Sequence, residues 1–205
     1  MLNTLKRLIT DWQKKSLTRP ELAYLFDAPP DEGWQEWVAL DCEMSGLNPK
    51  KHHFLSIGVV RIKGNVIDTG GGLYLICRPP KMPEADTIVI HGLRPHDVAN
   101  GLSYEAMLSQ VLPFIGNRPI VGFCPQLDLA FLNPLVKAYM GTPLPNPVID
   151  VRTLYQHHTG NRTEGVSHQG LHLNTMLETL EIPNLGSHNA FNDAVMTAMV
   201  FLHLR

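Results

Sequence analysis

The chain has 205 residues, 44% of them hydrophobic, which suits one domain with a full core and a short addition. A formal net charge of −2 excludes the broad basic surface that grips long stretches of nucleic acid, while leaving room for contacts with a few phosphates. Cys42, Cys77 and Cys124 lie in or beside apolar runs without close spacing, which reads as reduced thiols of a cytoplasmic protein and excludes a disulfide framework.

The first seventeen residues, MLNTLKRLITDWQKKSL, spread Lys6, Arg7, Asp11, Lys14 and Lys15 through their length, so they form neither a signal peptide nor a membrane span. Leu2, Leu5, Ile9 and Trp12 recur at helical spacing before TRPELAYLFDAPPDEG breaks the pattern. Residues 1–35 therefore read as a helical arm and linker packed on the domain formed by 36–205. From Trp37 the pattern is that of strands: EWVALDCEM, FLSIGVVRI, a KGN turn, then GLYLICR ending at Pro79. SYEAMLSQVLPFI reads as a helix capped by Ser103, PIVGF as a buried strand, and LDLAFLNPLVKAYM as a helix that Pro134 kinks or restarts. PVIDVRTLYQHH supplies a short strand and helix, with Asp150 as the helix cap. HLNTMLETLEI is a further helix, and HNAFNDAVMTAMVFLHL a long one with Ala194, Ala198 and Phe201 on one face. A meander followed by alternating helices and strands predicts an α/β fold: a mixed sheet of about five strands with helices on both faces, the layout of ribonuclease H-like folds.

The stretch VALDCEMSGL ends an oily strand in two carboxylates. Residues two apart on a strand share a face, so Asp41 and Glu43 stand side by side and repel unless solvent or a cation intervenes. Asp128 follows a buried strand in VGFCPQLDLAFL, and His188 and Asp193 stand where the last helix begins in SHNAFNDAVMTA. Asp41, Glu43, Asp128, His188 and Asp193, in that order and at the mouths of predicted elements, resemble the DnaQ-like 3'–5' exonucleases of the DEDDh type. That group includes the proofreading subunit of bacterial DNA polymerase III. DCEMSGL is similar to the first motif, Asp128 with Phe131 and Leu132 to the second, and His188-x-Ala-x-x-Asp193-Ala to the third. The resemblance runs from Trp37 to Leu204.

The resemblance implies a metal-dependent exonuclease that releases nucleoside monophosphates from single-stranded 3' ends of DNA. Phosphodiester hydrolysis needs an activated water, neutralised phosphoryl oxygens and a departing 3'-oxygen, which two divalent ions serve together. Hard cations such as Mg2+ or Mn2+ prefer carboxylate oxygen, and Asp41, Glu43, Asp128 and Asp193 supply it. By the same resemblance His188 is the general base, histidine being the side chain that exchanges a proton near neutral pH. Met44, Gly46 and Leu47 would line the pocket for the terminal nucleotide. His91, in IHGLRPHDV, would touch substrate or serve the structure.

Several features compete. The second motif reads GFCPQLD where the family usually has Gly-His-Asn or similar, so Phe123, Cys124 and Pro125 alter the contacts flanking the acid. QLDLAF resembles peptides that dock on sliding clamps, but it coincides with the second motif and its apolar residues are expected in the core. His157, His158, His168 and His172 lack the cysteine or carboxylate partners of a zinc site and read as a solvated loop. Two rival functions remain open, an exoribonuclease acting on short RNA and a non-catalytic scaffold for a DNA polymerase. The lack of a long tether after Arg205 favours a free-standing enzyme over a polymerase subunit. The sequence sets no oligomeric state.

Overall fold

The computed structural model describes residues 10–82, 92–160 and 171–205. His91 and His168 lie outside the described residues. Five strands form one mixed sheet: β1 (Glu36–Met44), β2 (Phe54–Lys63), β3 (Val66–Ile76), β4 (Ile120–Gly122) and β5 (Val148–Asp150), in the order β3-β2-β1-β4-β5. β1 pairs antiparallel with β2, and β2 with β3 across a two-residue turn. β4 and β5 join in parallel on the other side. This is the mixed five-stranded α/β sheet that the sequence pattern predicts.

β1 occupies the centre and is buried on both faces, which is why EWVALDCEM reads as a nearly continuous apolar run. Val38, Leu40 and Cys42 point into one core cluster, beneath α2 (Tyr104–Ile115) and α3 (Pro125–Met140). A short helix, α1 (Pro95–Ala99), precedes them in the chain. Leu22, Leu25 and Phe26, from a 3-10 helix at Pro20–Phe26, complete that layer. Ala39 points to the opposite cluster, under α4 (Val151–His158), α5 (Leu173–Thr179) and α6 (Ala190–Leu204). The strand alternation therefore sends Asp41 and Glu43 to the α6 face.

Local signals act as the sequence suggests. The Ser103 hydroxyl accepts the Ala106 N–H at the start of α2, and Asp150 accepts the Arg152 N–H at the start of α4. Of the kink or restart expected at Pro134, the restart does not occur: α3 continues as one helix through it. The tract QLDLAF lies inside α3 with Asp128 and Phe131 buried, so it does not present a docking peptide.

α6 packs across β1, β2, β3 and β4, and its first turn lies directly on β2. Gly58 makes this approach feasible: a Cβ there would collide with the Ala190 carbonyl and the Phe191 amide. Gly72, on β3, leaves room in the same way for the Phe191 ring, which would stand 2.6 Å from an added Cβ. The obstacle at Gly58 is backbone and yields little. Gly58→Ala is expected to destabilise the fold by about 1–3 kcal/mol, as overpacking does. Gly70→Ala, facing open space apart from Asp68 at 4.0 Å, should stay within about 0.5 kcal/mol of wild type in denaturant melts.

Candidate active site

Asp41 and Glu43 sit near the carboxyl end of β1, beside the strand end of β4, where open α/β sheets bind ligands. Asp193 arrives from the first turn of α6, brought over the sheet by the contact at Gly58. One oxygen from each of Asp41, Glu43 and Asp193 lies within 4.8 Å of the other two. Among the described residues no other three histidine, cysteine or acidic side chains gather in this way, so His157, His158 and His172 form no metal cluster. Asp128 is not within that trio. It reaches the same strand end from α3 and is 4% exposed, and its Oδ1 accepts the Cys42 N–H at 3.1 Å.

The turn that delivers Asp128 is tightly specified. Cys124, the residue before α3, adopts a left-handed conformation with φ of 56°, and its N–H reaches Asp150 Oδ1 at 3.4 Å. Asp150 is also gripped by Arg152 at 2.8 Å, in a pair that is mostly buried, and the Arg152 guanidinium lies 5.4 Å from the centre of the Phe123 ring. The departure from the usual second motif thus puts a cation-backed aromatic ring beside the acids.

His188 is exposed and lies on the loop leading into α6. Its backbone is also left-handed, with φ of 65°, and its N–H donates to Asp193 Oδ2 at 2.9 Å. A non-glycine residue held there costs about 1–2 kcal/mol, so the loop must be fastened elsewhere. Asp41, Asp193, His188, Phe123, His172 and Asn174 line a cleft of about 260 Å³. A larger cavity of about 310 Å³, between Arg19, Tyr104, Leu108 and Tyr139, contains no gathering of acids, and we assign the chemistry to the smaller cleft. Sequence reasoning missed Asn174, a polar residue on the first turn of a helix, and discounted His172, which was grouped with the histidines around a polar loop.

Of the residues expected at the terminal nucleotide, Gly46 has φ of 151° and packs so closely on the His52 ring that a Cβ would stand 2.6 Å away. Leu47 is 76% exposed, whereas Met44 packs partly into the core.

The charges in the site are uncompensated. Among the described residues no lysine or arginine pairs with Asp41, Glu43, Asp128 or Asp193, and the buried Oδ1 of Asp193 has no hydrogen-bond partner. Burial, reinforced by the neighbouring acids Asp128, Asp193 and Glu43, raises the Asp41 carboxyl well above its usual range. Burial, then Asp193 and Asp128, pushes Glu43 up to about 8. Asp128 rises to about 7 through burial, tempered by backbone N–H donors. Burial also raises Asp193, against the hydrogen bond from His188. An oxygen-only, repelling donor set with an orphaned oxygen fits a hard divalent cation.

A scan against family models matches residues 38–201 to the RNase T exonuclease model. The chain belongs to the DnaQ-like 3'–5' exonuclease family. Among curated relatives it is 29% identical over 167 residues to the PolC-type DNA polymerase III of Thermotoga petrophila, covering 81% of this chain and 12% of that protein. It is 24% identical over 168 residues to the DNA polymerase III subunit epsilon of Aquifex aeolicus, covering 82% and 79%. It is 31% identical over 130 residues to RNA exonuclease 4 of Kluyveromyces lactis, covering 62% and 38%. The DnaQ-like chain thus spans about one eighth of the PolC-type polymerase. Its fold matches E. coli exonuclease I in complex with a dT13 oligonucleotide, with a TM-score of 0.68 at 15% identity over 82% of this chain and 40% of that one. No helix among the described residues is long and apolar enough to cross a membrane.

The raised carboxyls of this DnaQ-like site make stability depend on pH with a definite sign. Unfolded, Glu43 and Asp128 lose their protons near 4.5 and 3.8; folded, they keep them to about 8 and 7. The folded state therefore binds more protons across that window. The stabilisation is complete below the unfolded values and is lost as pH rises through the folded ones. Thermal melts in chelator should show wild type losing stability between about pH 5 and pH 8, and Asp41→Asn melting higher than wild type at the upper end. Mg2+ should stabilise wild type more than the variant. A chelated wild type whose midpoint rises across this range would contradict the electrostatic description.

Proposed function

We propose that the chain is a metal-dependent 3'–5' exonuclease that acts on single-stranded 3' ends of DNA and releases nucleoside monophosphates. The observation that carries this reading is the convergence of Asp41, Glu43 and Asp193 within 4.8 Å, with no protein cation beside them, at the edge of a cleft that also holds His188. Asp41, Glu43 and Asp193, with Asp128 alongside, would hold Mg2+ or Mn2+. When bound, two such ions supply charge neutralisation at the phosphoryl oxygens and lower the pKa of water.

The chain's own residues do the remaining work. His188 takes the proton that the attacking water gives up, and the bond from phosphorus to the 3'-oxygen of the preceding nucleotide breaks. The hydrogen bond from the His188 backbone to Asp193 fixes the base relative to the acids. Gly46 shapes the backbone under the terminal nucleotide, and Leu47 offers it an exposed apolar surface. Met44 supports that wall from the core side. Phe123, backed by Arg152, offers a stacking face that tolerates any base. A narrow cleft in a mildly acidic protein suits a threaded single strand, held by stacking and a few phosphate contacts.

The polymerase relatives and the oligonucleotide-bound exonuclease I favour DNA. The stretch similar to RNA exonuclease 4 favours an exoribonuclease as the second reading, and a polymerase-bound role is consistent with the epsilon and PolC relatives. The deciding assay follows mononucleotide release from labelled single-stranded DNA and RNA of one sequence, with Mg2+, Mn2+ or chelator. Release should require metal and be faster on DNA. It should fall by about 10²–10⁴-fold in His188→Ala and at least as far in Asp41→Ala. Faster release from RNA would transfer the activity to the second reading. No release from either polymer by folded, metal-loaded protein would leave only a scaffold.

A further inference from the structure

We infer that Asn174 is the positioning residue that aims His188, by fastening the loop from which the imidazole projects. The inference rests on the role given to His188 above and extends it to a side chain outside the three motifs.

Among the described residues the His188 imidazole has no hydrogen-bond partner; only the backbone N–H is tied, to Asp193. Apart from its electrostatic attraction to Asp193, an exposed imidazole without a hydrogen bond is directed by its backbone, and here that backbone is left-handed. The residues just before it must therefore be held. Asn174, in the first turn of α5, does this from across the cleft: its Oδ1 accepts the Ser187 hydroxyl at 2.8 Å and the Asn184 Nδ2–H at 3.1 Å. One oxygen thus fastens both ends of the segment 184–187. Asn184 is itself fixed, since its Oδ1 accepts the Gly186 N–H at 2.8 Å in a side-chain turn. On the opposite flank Asn192 of α6 donates to the carbonyls of Leu185 and Gly186 at 2.8 and 3.3 Å.

The loop is thus gripped between two helices by side-chain amides. Asn192 belongs to α6 and moves with Asp193, but Asn174 belongs to a different element. It alone among these amides references the base to a second helix. An error of about 1 Å in the placement of a catalytic group costs up to about 10²-fold in rate. Losing Asn174 should therefore lower turnover while leaving the acids in place.

The test uses the full, metal-loaded chain and its faster polymer substrate. Asn174→Ala should lower kcat by about ten-fold or more with KM little changed. Asn174→Asp, which keeps the accepting oxygen, should restore most of kcat. In a His188→Ala background Asn174→Ala should have no further effect, whereas a merely structural role would lower the residual activity by the same factor in both backgrounds. Hydrogen exchange supplies a readout independent of activity: the Gly186 and His188 amides should exchange faster in Asn174→Ala and at the wild-type rate in Asn174→Asp. Unchanged exchange in Asn174→Ala, or an equal loss in both backgrounds, would overturn the inference. If wild type cleaves neither polymer, the exonuclease reading fails, and the exchange rates still decide whether Asn174 holds the loop.

Discussion

The first turn of α6 lies on the bare backbone of Gly58, and the arrangement of the site depends on that contact. The sheet by itself supplies two acids on neighbouring rungs of one strand, which could face water and do nothing. A third acid from another element makes a binding site, and it has to come within a few ångströms of the strand. An α-helix normally stands off a sheet by the depth of its side chains. Here a glycine on β2 and another on β3 remove that depth locally, so the helix start sinks toward the sheet and carries Asp193 with it. His188 follows through its hydrogen bond to Asp193, and the cleft takes its shape between that loop and α5.

Bringing acids together in this way works against the fold. Asp41, Glu43, Asp128 and Asp193 all have raised pKa values, with burial as the leading cause in each. The hydrogen bonds that answer them reach Asp128 and Asp193 mostly from backbone amides, among them those of Cys42 and His188. The remaining demand is left for a cation. The rest of the molecule compensates by being conventional, with two apolar layers and a central strand whose Val38, Ala39 and Leu40 are fully buried. Stability is concentrated away from the cleft, and the cleft keeps an electrostatic deficit that suits its chemistry.

Much of this could be read from the residues. The alternation of β1 placed Asp41 and Glu43 on one face, and burial left a strong apolar trace at β1, β2 and β4; β3 was read only from Gly72 onward, because its first half, VIDTGG, is largely exposed. The third motif marked the start of α6 and the two residues, His188 and Asp193, to which the proposed chemistry is given there. What escaped reading depends on contacts distant in sequence. Nothing in the letters around Gly58 says that a helix from far along the chain will rest on it. Nor does HLNT announce that Asn174 will accept bonds from Ser187 and Asn184, since a polar residue on a first turn usually faces water. Of the kink or restart expected at Pro134, the restart fails for a related reason: surrounding packing keeps α3 one helix where local propensity argues for a break.

The distance along the chain between Asp41 and Asp193 has a consequence for how the protein is made. β1 leaves the ribosome well before α6, so its pair of acids exists before the third is made. Until α6 seats on the sheet, those two acids stand without Asp193 and without the loop that carries His188. The proposed activity therefore waits on the packing of α6 across β1 and β2, a contact between segments far apart in sequence. A copy in which α6 has not yet seated lacks the third acid, so the proposed hydrolysis is withheld from it.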